Sequence, residues 1–142
     1  MNKKTIKFEI VTPEKKVFED EVQQITIPTQ EGEITVLPNH IPLVSIMDSG
    51  VIELKNSQDE IKVMAVSGGF LEVFYDKIVI LADSADRAEE LDEEICQEAR
   101  QRAEEELKNT RQFDKERFTN INAVIARELA RTKAIQRWRK LK

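Results

Sequence analysis

The chain has 142 residues, 40% of them hydrophobic and 35% charged, with a formal net charge of −5. That length suits one domain, or one domain with an appendage, and the acidic balance argues against a general nucleic-acid binder. The single cysteine, Cys96, excludes an internal disulfide. No Cys/His grouping has metal-ligand spacing, and no apolar run approaches the roughly 20 residues that cross a bilayer.

The first residues, Met1 to Thr5, are basic, but Ile6-Lys7-Phe8-Glu9-Ile10 alternates where a signal peptide would carry its apolar core. No secretion or transit peptide is therefore expected. Gly32, Gly50, Gly68 and Gly69, and Pro13, Pro28, Pro38 and Pro42, all fall in the first half. This half also has period two: Ile6, Phe8 and Ile10, then Val22 and Gln24, Ile25 and Ile27, Ile34 and Val36, Ile52 and Leu54, Ile61 and Val63, Phe70 to Phe74, and Ile78 to Leu81. Turn signals separate the runs at Gln30-Glu31-Gly32, Asp48-Ser49-Gly50 and Tyr75-Asp76-Lys77. Many short β-branched strands with frequent turns predict an antiparallel sandwich or barrel.

Beyond Asp83 the period changes. Leu91, Ile95, Ala99, Ala103 and Leu107 recur every four residues, which predicts a helix with a narrow apolar stripe. Asp92, followed by Glu93 and Glu94, suits its N-terminus. Lys108-Asn109-Thr110-Arg111-Gln112 reads as a turn, and Asp114 as the cap of a second helix with apolar positions Phe118, Ile121, Ile125 and Leu129, continuing less regularly to Ile135 and Trp138. Residues 86–107 hold ten acidic and three basic side chains, whereas 108–142 hold eleven basic and three acidic ones. An acidic helix and a basic helix fit an antiparallel hairpin. Exposed ion pairs contribute only about 0–1 kcal/mol each, so the hairpin is expected to be weakly held and able to detach.

Residue chemistry points away from catalysis. His40, the only histidine, sits in Leu37-Pro38-Asn39-His40-Ile41-Pro42-Leu43 with no local nucleophile or carboxylate motif. Ser67-Gly68-Gly69-Phe70 lacks the Lys-Ser/Thr and the strand-to-helix context of a phosphate loop, and reads as a tight turn. Cys96 reads as a packing residue beside the stripe, and the acidic run Glu89 to Glu94 as a solvated face. The basic end, Arg131 to Lys142, reads as a solvated helix face or as a surface for nucleic acid, anionic lipid or an acidic protein, with Trp138 between Arg137 and Arg139. Its apolar face is too broken for a membrane helix.

Several motifs in this order resemble the ε subunits of F-type ATP synthases. Phe8-Glu9-Ile10-Val11-Thr12-Pro13 with Val17-Phe18 is similar to that family's opening strand and turn, and Leu37 to Leu43 to its signature loop. Gly50-Val51-Ile52, Ser67-Gly68-Gly69-Phe70-Leu71-Glu72-Val73 and Val79-Ile80-Leu81-Ala82-Asp83 also match. The resemblance implies a mainly β N-terminal sandwich of about ten strands over 1–85 and a C-terminal antiparallel two-helix hairpin over 86–142. It implies a central-stalk rotor subunit without an active site, peripheral on the cytoplasmic face of a bacterial plasma membrane. Its implied partners are the γ subunit, the c-ring, and the α and β subunits, with no nucleic acid and no metal. The hairpin of that family rests on the sandwich or extends along γ into the α/β head and obstructs ATP hydrolysis, which implies inhibitory contacts by Arg131, Lys133, Arg137 and Arg139.

Some relatives bind ATP in the folded hairpin through an Ile/Leu-Asp-x-x-Arg-Ala motif. Leu91 and Asp92 match it, while Ile95 and Cys96 replace its arginine and alanine. Asp86, Asp92, Arg102, Arg127 and Arg131 are the positions the resemblance implies for ATP contacts, and losing an arginine removes a strong phosphate partner. The readings from other classes are a free-standing nucleotide-sensing or protein-binding adaptor module and, more weakly, a small enzyme using His40.

Overall fold

The computed structural model describes residues 4–110 and 114–141. Nine strands come first: β1 (Ile6–Val11), β2 (Lys16–Thr29), β3 (Gly32–Val36), β4 (Leu43–Ile46), β5 (Gly50–Asn56), β6 (Ile61–Ser67), β7 (Phe70–Val73), β8 (Lys77–Leu81) and β9 (Ser84–Arg87). A single 3-10 turn, Ala88–Glu90, leads to α1 (Glu93–Lys108) and α2 (Lys115–Leu141). The hydrogen-bonded order is β4-β7-β8-β1-β2-β5-β6-β9, with β3 paired to β2. All pairings are antiparallel except β1 with β8.

The strand total among the described residues is nine rather than about ten, and β2 shows why. The runs read separately at Val22–Gln24 and Ile25–Ile27 belong to one strand of 14 residues. Its register against β5 shifts between Val22 and Gln24. A bulge inserts one residue and reverses the alternation, so Phe18 and Val22 are buried before it and Ile25, Ile27 and Thr29 after it. Val22 pairs with both β1 and β5, and Ile25 with both β3 and β5. β1 and β3 therefore follow one another along one edge of β2, and β5 occupies the other.

The inward side chains of β1, β2, β3, β5, β6, β7 and β8 share one buried cluster, including Phe8, Ile10, Ile25, Ile52, Leu54, Met64, Leu71, Ile78 and Ile80. Strands from both ends of the path can meet in one core only if the sheet folds over into two layers. The outer face of β5 and β6 is covered in turn. Val63 and Ala65 on β6 pack with Ala88 and with Ala134 of α2, flanked by Val51, Leu91, Trp138 and Leu141. Thus β6 is buried on both faces, Met64 and Val66 inward and Val63 and Ala65 outward. Small residues at 65 and 134 let helix and strand approach closely.

Asp92 caps α1 as expected, accepting from the backbone N–H of Glu94 at 2.9 Å and Ile95 at 3.3 Å. Asp114 accepts from the N–H of Arg117 at 3.2 Å at the start of α2. Of the turn read over 108–112, Arg111 and Gln112 lie outside the described residues, as does Lys142. The helix stripes differ from those read in the sequence. Ile95 is 61% exposed while Cys96 and Ala103 are buried, because seven residues bring a helix almost back to the same face and eight do not. On α2, Phe118 and Leu129 are exposed, and the buried set is Ile121, Glu128, Ala130, Thr132, Ala134 and Ile135. The helix faces both α1 and the sheet, so its buried surface is broad and mixes Ile121 and Ile135 with alanines.

Candidate functional site

Where β9, α1 and α2 meet, charged groups are drawn out of water. Glu128 on α2 is 2% exposed. Its Oε1 accepts from Arg131 Nη1 at 2.8 Å and from Arg127 Nε at 3.3 Å. Asp86 Oδ2 on β9 accepts from Arg131 Nε and Nη2, each at 2.9 Å. Arg131 thus bridges two carboxylates, one on its own helix and one on the sheet. The four charges cancel, which is what partly buried ions require. Thr132 Oγ1 donates to the Glu128 carbonyl at 3.0 Å. On α1, burial first and the neighbouring Glu128 carboxylate second push the Cys96 thiol above its ordinary pKa.

The residues singled out in the sequence are therefore only partly brought together. Asp86 and Arg131 pair directly, and Arg127 joins them through Glu128. The Asp92 carboxylate is engaged as a helix cap. Arg102 is exposed on α1, and Ile95, at the position of the family arginine, faces solvent. Glu128 was not singled out. Its spacing could have revealed it, since it stands seven residues from both Ile121 and Ile135 and so shares their face.

The basic end of α2 binds the sheet more than the acidic helix. Arg137 forks onto Glu53 of β5, Nε to Oε1 at 3.1 Å and Nη2 to Oε1 at 2.9 Å. Arg139 reaches Glu93 at the start of α1, and Arg117 reaches Glu106 at 3.1 Å. Lys133 is exposed and forms no ion pair among the described residues. An open cleft of about 650 Å³ at the base of the hairpin is lined by Glu89, Glu90, Asp92, Glu93, Glu94 and Gln97, with Arg139 at its side. Its acidic walls repel phosphate.

His40 Nδ1 lies 2.7 Å from the carbonyl oxygen of Ile41 on an exposed loop, with no hydrogen bond to a carboxylate or hydroxyl among the described residues. Gly69 turns the chain between β6 and β7 with φ +113°, and its carbonyl accepts from Met47 N at 2.9 Å. No helix follows it. Both segments shape the sheet.

The beta-sandwich domain of the ATP synthase delta/epsilon chain matches residues 5–88. The chain belongs to the ATP synthase delta/epsilon chain family. Among relatives named ATP synthase epsilon chain, that of Syntrophobacter fumaroxidans is 41% identical over 93% of this chain and 96% of its own. That of Pelotomaculum thermopropionicum is 45% identical over 75% of this chain and 79% of its own. A chain in the Euglena gracilis mitochondrial ATP synthase (OSCP/F1/c-ring, rotational state 1) shares the fold with a TM-score of 0.68 at 22% identity, covering 96% of this chain and 81% of that one.

As an epsilon-type chain, this protein shows a second surface of note on the layer opposite the hairpin. Ile46 stands beside Phe70, and Phe70 beside Leu81, across β4, β7 and β8. All three are exposed, as are Val44 on β4 and Leu37 and Ile41 in the signature loop. Scattered single apolar residues are ordinary on a protein surface, but an in-register run of this kind is not.

Proposed function

We propose that this chain is a non-catalytic rotor subunit of an F-type ATP synthase, its sandwich docking on the γ subunit and the c-ring and its hairpin regulating hydrolysis at the α/β head. The observation that carries the reading is the exposed apolar face of β4, β7 and β8 with the Leu37–Leu43 loop. Its side chains lie in register across three strands and remain uncovered in the isolated chain. Membership of the family and relatives named epsilon chains support it. Among the described residues no helix is long and apolar enough to cross a membrane; in this reading attachment on the cytoplasmic face comes through the complex.

Co-expression with α, β and γ tests this. The wild-type chain co-purifies with them, whereas Phe70→Asp combined with Ile46→Asp, both on the exposed face, folds but no longer does. A double variant that still co-purifies in full yield sinks the proposed docking face.

In this reading the hairpin is the regulatory unit, and its docked state is the one described above. Release would turn the basic α2 toward an acidic surface of the head, and salt should weaken that contact. Removing 114–142 then raises ATP hydrolysis by the complex. Arg131, Arg137 and Arg139 already hold carboxylates when docked, so neutralising them alters both states. Lys133 does not, and Lys133→Gln should reproduce part of the rise without loosening the docked hairpin. Hydrolysis unchanged in both variants removes the inhibitory role and leaves the docking role standing.

A further inference from the structure

We infer that Glu128 is a built-in anion that fills the arginine pair of the hairpin, so that this chain keeps its helices docked without nucleotide. Arg127 and Arg131 stand one helical turn apart and aim at the same point, the Oε1 atom of Glu128. That point lies inside the junction, since Glu128 is 2% exposed. All three Arg131 nitrogens already face a carboxylate, Nη1 toward Glu128 and Nε and Nη2 toward Asp86.

A phosphate group could reach these arginines only by displacing both carboxylates. Glu128 would then remain as a buried, unpaired charge, among the costliest outcomes available inside a protein. Asp86 and Glu128 balance the two guanidinium groups, so the junction has no net positive charge to attract an anion. The nearby cleft at the hairpin base is acidic and offers no alternative seat. The third arginine such a ligand would use is absent, Ile95 standing in its place and facing solvent. Each of these observations concerns a different group, and all point to an internally satisfied junction. Glu128 and Asp86 do what a bound phosphate would do: they tie α2 to the sheet through Arg131.

Docking of the hairpin on the sheet is all that this requires, not the rotor role, and the free chain tests it separately. Two reporters are native to the sequence. Cys96, the only cysteine, is buried between the helices, so its rate of labelling by a soluble disulfide reagent measures opening. Trp138, the only tryptophan, packs against the β6 face, so its emission measures undocking.

In the wild-type chain, millimolar MgATP is expected to change neither reading. Glu128→Gln, which keeps shape and removes charge, and Glu128→Ala should each move Trp138 emission toward that of a solvated indole and label Cys96 faster by roughly tenfold or more, with the β-sheet circular dichroism retained. The emission separates opening from the lower thiol pKa that losing the Glu128 carboxylate brings by itself. Millimolar pyrophosphate should then slow labelling of Glu128→Ala, because the arginine pair is left open to an outside anion. The inference is overturned if MgATP protects Cys96 in the wild-type chain. It is equally overturned if both variants label within about twofold of wild type, or if pyrophosphate leaves the Glu128→Ala variant unprotected.

Discussion

At Gly69 the backbone takes φ +113°, and an added Cβ would lie 1.9 Å from the carbonyl oxygen of Leu81. Backbone atoms of a central strand cannot move aside cheaply. Gly69→Ala should therefore destabilise the sandwich by about 3 kcal/mol or more, read as a lowered urea midpoint with the slope retained. Cys96 gives a prediction of the opposite kind, in pH. Its folded pKa is raised, chiefly by burial, so the neutral thiol is the form the docked hairpin favours. That contribution is complete below the unfolded value of roughly 8.5 and is lost as pH rises through the folded value. Docking, followed by Trp138 emission, should weaken on the alkaline side, and Cys96→Ala should flatten that dependence. An unchanged profile in the variant would assign the alkaline weakening to other groups.

Among the elements, the contact between α2 and β6 holds the hairpin in place. Ala134 is fully buried against Val63 and Ala65. Ala134→Leu adds volume where none is free, at a cost of about 1–3 kcal/mol. It should shift Trp138 emission toward that of a solvated indole while leaving thermal unfolding of the sheet in place. A sheet that unfolds together with the hairpin would show that the two are one cooperative unit. This contact also marks where the sequence was legible and where it was not. Alternation placed the inward residues of β1 and β5 correctly, since one face of each strand is apolar and the other largely polar, whereas β8 is apolar on both faces. The bulge in β2 was invisible because a one-residue phase change looks like a new strand. The helices misled more. The acidic and basic stretches do pair, Arg131 with Asp86, Arg139 with Glu93 and Arg117 with Glu106, but Asp86 lies on β9 rather than on the helix, and Arg137 turns to Glu53 on the sheet. Of the large apolar residues read on α2, Ile121 and Ile135 are buried but Phe118 and Leu129 are not, and the rest of the buried face is Ala130, Thr132, Ala134 and a glutamate. Burial of small and charged residues is decided by neighbours distant in sequence, and periodicity does not carry it.

For the whole molecule, the division at 85/86 read from the sequence falls inside β9, which pairs with β6 over Ser84 to Arg87. A truncation at that point would remove part of an edge strand. The proposed independent unit is better tested with residues 1–90, which keep β9 and the 3-10 turn. This fragment should unfold in a single cooperative transition, since the interior cluster draws on strands alone. It should also be less soluble than the full chain, because Val51, Val63 and Ala65 lose their cover. A fragment that is molten by near-ultraviolet circular dichroism would show that the hairpin is part of the folding unit.

The lone parallel pair matters in time. β1 lies beside β8 from Lys7 opposite Lys77 to Val11 opposite Leu81. At about 5–20 residues per second, the ribosome delivers β8 roughly 4–14 s after β1. Through that interval β1 has only β2 as a neighbour, so one of its edges stays unpaired although β3, β5 and β6 can already extend the sheet beyond β2. The cover that Ile78 and Ile80 give Phe8 and Ile10 therefore arrives only when synthesis is more than half complete, and closure over so long a loop is slow. The nascent chain is most vulnerable to proteases and to mispairing before residue 81 clears the exit tunnel, and the helices emerge only after that danger has passed.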